Sequence, residues 1–164
     1  MRSVLAFLLC AAGVFAADAP RRAPGFALPD SRMAVHDLYD YRGKPVVIEF
    51  MQTTCPHCAS FVDVMKKIQE KYGEKVGILA IVVPPDNLST VQQFVAGHGI
   101  GYPVLFDMGQ VAYSYVRQQH VTFPQLYLVD RNGMIYAHFE YELLNRDIFE
   151  GNGLFNEIER MLKK

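Results

Sequence analysis

Two cysteines with two residues between them, in the run Thr54-Cys55-Pro56-His57-Cys58, are the side chains best suited to covalent chemistry. Disulfide exchange needs an accessible, stabilised thiolate and a second thiol close enough to resolve the mixed disulfide. Cys55 follows a β-prone run at residues 46–50, Val-Val-Ile-Glu-Phe, and Pro56 suits a first helical turn, where its missing N–H is not needed. A thiol at a helix start lies near unsatisfied N–H groups and the positive end of the helix dipole, and both lower its pKa. Cys55 is therefore expected to attack and Cys58, one turn further in, to resolve.

Three other residues extend the set. His57 lies between the cysteines and is either a polar surface residue or, as imidazolium, a group that favours the Cys55 thiolate. Glu49 interrupts a run of Val, Val, Ile and Phe. It either faces a solvated edge or is a buried acid with raised pKa beneath Cys58, moving that thiol's proton. Pro124 opens the apolar run Gln-Leu-Tyr-Leu-Val, where a strand tolerates proline with no need for a cis bond.

Cysteine usage narrows the options. The chain has 164 residues, 51% apolar and 20% charged, with a net charge of −1, the profile of one soluble globular domain. Arg2, an apolar run over residues 4–15 and small residues at 16–17 have the layout of a secretory signal peptide over residues 1–17. The run falls short of the ~20 residues that span a bilayer comfortably; an uncleaved anchor is the alternative. A periplasmic or other extracytoplasmic location follows, one that permits disulfides. Cys10 belongs to that segment, which leaves Cys55 and Cys58 of the chain's three cysteines. A bridge across two residues closes too small a loop to contribute much stability, and a zinc site lacks a second cysteine pair. The basic pairs Arg21-Arg22, Lys66-Lys67 and Lys163-Lys164 are scattered, which leaves no nucleic-acid footprint.

The elements that must hold these residues follow from periodicity. Residues 18–25 read as an irregular arm, and 26–28 and 33–35 as two short paired strands. A helix begins at Pro56, with Cys58, Phe61, Val62, Met65, Ile68 and Tyr72 inward and Gly73 as its stop. Residues 76–83 form a buried strand ended by Pro84-Pro85. Leu88, Val91, Phe94, Val95 and His98 then mark the apolar face of a helix. A strand at 103–106, a helix at 110–115, a hairpin at 125–139 around Asp130-Arg131-Asn132-Gly133 and a closing amphipathic helix complete the chain. That order gives an α/β protein, a central mixed sheet with helices on both faces.

These residues carry a family resemblance. Glu49-Phe50 followed by Cys55-Pro56-His57-Cys58 resembles thioredoxin-fold thiol oxidoreductases, and Cys-Pro-His-Cys is similar to the active site of DsbA-type oxidants. Val121-Thr122-Phe123-Pro124 resembles the family's cis-proline loop. Residues 23–29 and 38–47 resemble the entry segment of the TlpA/ResA branch. The stretch from Cys55 to Pro124 is longer than in plain thioredoxin and too short for the inserted domain of DsbA. The resemblance implies a thioredoxin-like domain over residues 26–164, with an N-terminal strand extension and an extra βα insertion. It implies a cis Pro124 against the cysteines and a substrate groove shaped by Thr54, Pro56 and Phe123. Thr54 stands where tryptophan is usual, and Phe123 where a small or β-branched residue is common.

The activity so implied is an exported enzyme that exchanges disulfides with protein thiols and is recycled by a membrane redox partner, with no cofactor. The motif points to an oxidant and the TlpA-like body to a reductant. A different class is a Sco-like copper chaperone holding Cu(I) with Cys55, Cys58 and His57 or His120. Sco-type sites, however, have three residues between their cysteines. Peroxiredoxins place threonine and proline where this chain has Gln52 and Ile48.

Overall fold

Runs of β-branched residues alternating with amphipathic segments become seven strands, five α-helices and three short 3-10 helices among the residues described by the computed structural model, 21–118 and 121–164. The expected signal segment, residues 18–20 of the arm, and His120 lie outside the described residues. Strands β1 (Ala27–Pro29) and β2 (Val35–Asp37) pair antiparallel. The second strand starts two residues later than its sequence suggests. The reason is Asp30, buried at the turn, whose carboxylate accepts from the N–H groups of Arg32 and Ala34 at 2.8 and 2.9 Å and so lengthens it.

The main sheet is built on β3 (Val46–Met51) and β4 (Gly77–Val82), all of whose residues are buried. Apolar runs of this kind, broken in β3 only by Glu49, belong at the centre of a sheet covered on both faces. These two pair in parallel, and β5 (Val104–Phe106) adds in parallel beyond β4. On the other side β6 (Gln125–Val129) runs antiparallel to β3, followed by β7 (Ile135–Glu140). The order is β5-β4-β3-β6-β7, the mixed sheet that the alternation implies.

Period two along β3 divides its side chains between two cores. Val47 and Met51 face helix α1 (Pro56–Tyr72), together with residues of α2 (Leu88–His98), α4 (Arg146–Phe149) and α5 (Asn152–Leu162). Val46, Ile48 and Phe50 face α3 (Gln110–Val116), Phe26 and Leu38. Helix α1 buries the six residues its periodicity selects, and Gly73 stops it at φ 54°. Helix α2 departs from expectation, because Leu88 and His98 are exposed and only Val91 and Phe94 are fully buried. The helix meets the core through one turn, and His98 covers Phe94 from outside with ring centroids 4.4 Å apart.

The described part of the arm is irregular but packed. The Ala23 N–H donates to the Gly133 carbonyl at 2.9 Å and the Ile135 N–H to the Arg21 carbonyl at 2.8 Å, which fastens the arm to the terminal hairpin.

Candidate active site

Cys55 is the N-cap of α1, in extended conformation, and its sulfur accepts from the Cys58 N–H at 3.2 Å. One of the free donors of a helix start therefore points at this sulfur, as a thiolate requires. Its thiol also lies 3.5 Å from the Phe123 carbonyl, to which it donates. Both cysteines are free thiols, but their surroundings differ. Cys55 is half-buried, whereas Cys58 is fully buried. Burial pushes the Cys58 thiol up, and the Glu49 carboxylate and the hydrogen bond with Cys55 push it further. One sulfur can be reached from outside, and the other needs help to lose its proton.

Glu49 is not at a solvated edge. It is wholly buried, on the sheet face turned to α1, between Ala80 of β4 and Leu126 of β6. Neither carboxyl oxygen has a hydrogen-bond partner, and burial raises its pKa to about 8. A carboxyl group in that state can hold or release a proton at the pH where thiols exchange.

The loop between β3 and α1 is tied to the segment after β4. Gln52 donates to the Pro84 carbonyl at 2.9 Å. Asp86 accepts from the Thr53 N–H at 2.7 Å, from the Thr53 hydroxyl, and from the Thr90 hydroxyl at 2.9 Å. The sequence offered no sign of this, since Asp86 just before the N-cap Asn87 reads as ordinary helix-start chemistry. A carboxylate hydrogen bond is worth about 1.5–3 kcal/mol. Asp86→Ala is therefore expected to accelerate hydrogen exchange of the Thr53 amide by about tenfold or more. Unchanged exchange there would mean that the loop is held by other contacts.

The Phe123–Pro124 bond is cis, Pro124 is buried, and the Phe123 carbonyl is the one that meets Cys55. Phe123 packs against both cores, while Thr54 and Pro56 are exposed. The structure thus gathers Cys55, Cys58, Glu49, Phe123 and Pro124 around the start of α1. His57 is exposed and stacks on Tyr141, just past β7, with ring centroids 4.0 Å apart and planes at 21°. Beside that stack lies a cleft of about 220 Å³ bordered by Ser60, Arg146, Phe149 and Glu150. Tyr141 was not singled out in the sequence, because nothing local distinguishes it from other tyrosines. Among the described residues no group of three His, Cys, Asp or Glu side chains is gathered as a metal site.

The chain is 32% identical over 143 residues to the thiol-disulfide oxidoreductase ResA of Geobacillus kaustophilus, spanning 86% of this chain and 74% of that one. It is 26% identical over 144 residues to the thioredoxin-like protein YneN of Bacillus subtilis, with coverage of 87% and 77%. A Chlorobium tepidum crystal structure, provisionally described as thiol:disulfide interchange protein DsbE, superposes with a TM-score of 0.71 at 26% identity, covering 84% of this chain and 96% of that one. The fold is accordingly thioredoxin-like. Residues 20–138 match the AhpC/TSA family, and the chain belongs to that family as a thiol-disulfide oxidoreductase.

Proposed function

We propose that the chain is exported to the periplasm or another extracytoplasmic compartment and exchanges disulfides with protein clients, Cys55 attacking and Cys58 resolving. The observation that carries this reading is the asymmetry of the pair: Cys55 capped by the Cys58 N–H and half-exposed, Cys58 buried above Glu49. In the oxidising direction a client thiolate attacks the Cys55–Cys58 disulfide and frees Cys58. A second client thiolate displaces Cys55, leaving the client oxidised and both cysteines reduced. In the reducing direction the Cys55 thiolate attacks a client disulfide. Glu49 then takes the Cys58 proton, Cys58 attacks the Cys55 sulfur, and the client leaves as a dithiol. Each cycle moves two electrons, so a membrane redox partner must restore the starting state.

The Cys-Pro-His-Cys motif favours a fairly oxidising centre, and the charged-then-apolar residues 1–17 support export. Thr54, Pro56 and Phe123 border the mouth and receive the client chain. Incubation of a Cys58→Ser variant with oxidised client is expected to accumulate a mixed disulfide through Cys55. An adduct formed through Cys58 in a Cys55→Ser variant, with none in Cys58→Ser, would reverse the assignment. The N-terminal sequence of protein recovered from the periplasmic fraction tests export separately, since an intact Met1 in the cytoplasmic fraction would contradict it.

A further inference from the structure

Tyr102 is a buried titratable side chain that disulfide exchange, as described above, leaves unused. It stands just ahead of β5, is 5% exposed, and packs in the same apolar cluster as Cys58, Val91 and Phe94. Its hydroxyl has no hydrogen-bond partner. Phenylalanine would fill that space with no unpaired oxygen, so a buried hydroxyl here needs a reason. The two carboxyl oxygens of Glu49 are in the same state.

Strand register brings these groups to one side of the sheet. Glu49 lies opposite Ala80, and Ala80 opposite Val104. Tyr102, two residues before Val104, shares its cluster on the α1 face. By that register Tyr102 stands level with Ile78 of β4, diagonal to Glu49, while the residue directly beside Glu49 on β4 is the small Ala80. Burial, then the Glu49 charge, then that of Asp63, push the Tyr102 hydroxyl up, so the carboxylate is felt there. Cys58 interacts electrostatically with Glu49, and Asp63, exposed on α1, with Tyr102; Tyr41, Lys44 and Glu74 border the cleft that Tyr102 lines. β6 contributes Leu126 and Leu128, and α2 contributes Val91 and Phe94.

We propose that Tyr102 is a positioning residue for the Glu49 proton: its hydroxyl, directly or through one internal water, donates a hydrogen bond to the Glu49 carboxylate whenever that group is ionised. The inference rests on Glu49 being the proton acceptor of Cys58. A donor that meets only the charged form favours it and opposes the effect of burial. Tyr102 therefore brings the ionised carboxylate within the working pH range and aims it. The proton passes from Cys58 to Glu49, Cys58 attacks the Cys55 sulfur, and the client sulfur departs with the electron pair of the broken bond. Tyr102 keeps its own proton throughout.

The test is the rate of client release from the Cys55-linked mixed disulfide over roughly pH 6 to 10, the range in which thiols titrate. Tyr102→Phe is expected to move the inflection to higher pH and to slow release about tenfold below it, one pH unit being a factor of ten. Alkylation of Cys55 in the free enzyme should be unchanged. Infrared titration of the Glu49 carboxyl in the reduced protein should show the same upward shift without turnover. In a Glu49→Gln background, Tyr102→Phe should have no further effect on the profile. An unmoved inflection in Tyr102→Phe, or equal slowing with and without Glu49, would reduce Tyr102 to a packing residue while leaving Glu49 in place. A Glu49→Gln variant with the parent's profile would instead remove the acceptor itself, and this assignment with it.

Discussion

Stability of the reduced protein is expected to fall as pH rises from 4.5 to about 8, and Glu49→Gln is expected to abolish that fall. Burial raises the Glu49 pKa from 4.5 to about 8, so in this window the folded protein holds a proton that the unfolded chain has released. Stability rises with pH only where the unfolded state binds more protons, and here it binds fewer. The native state is thus unpenalised below the unfolded pKa and bears the full cost of a buried carboxylate above the folded one. A shift of this size corresponds to roughly 5 kcal/mol, a large part of a domain's stability. Urea unfolding of both proteins under reducing conditions, at about pH 5 and about pH 9, isolates the difference. Parallel pH dependences would show that Glu49 is solvated when ionised. The same substitution should slow resolution by Cys58 on the order of a hundredfold near pH 8, the scale of one general base.

Glu49 was legible as an anomaly because a carboxylate in a β-branched run has few physical outcomes. The central strands were legible for the same reason: strands covered on both faces are apolar almost throughout, so β4 is a continuous apolar run and β3 is one broken only by Glu49. Helix α1 announced itself at both ends, by Pro56 in its first turn and by Gly73 after Tyr72. Where a side chain reached across to the backbone, the pattern misled. Asp30 captures two N–H groups and delays β2, and Asp130 does the same at the hairpin by accepting from Met134, so that β7 starts at Ile135.

The supporting parts of the site were not legible, because each depends on a contact between distant segments. Asp86 holds Thr53 across 33 positions, and Tyr141 meets His57 only because the chain turns back after β7. Short α4 had no periodicity to show, with four residues of which Ile148 and Phe149 are buried. Sequence spacing located the sulfurs, whereas the loop that aims them is set by tertiary hydrogen bonds.

Replacement of His57 by serine is expected to lower the reduction potential of the Cys55–Cys58 couple by about 30 mV or more, each ~30 mV being tenfold in the exchange equilibrium. Only the reduced enzyme can carry a thiolate at Cys55, so a nearby imidazolium would stabilise the reduced form alone. The imidazole is held in place by its stack on the Tyr141 ring. His57 is exposed, and its contribution must therefore be screened. The gap between parent and variant should narrow as ionic strength rises, which a change in packing would not do. Equilibration with glutathione at low and high salt measures both effects, and Cys55 alkylation at neutral pH should be slower in His57→Ser than in the parent. A variant as oxidising as its parent would leave the Cys58 N–H, 3.2 Å from the sulfur at the helix start, as the group that holds the thiolate. His57 would then serve the surface beside Tyr141 and not the redox poise.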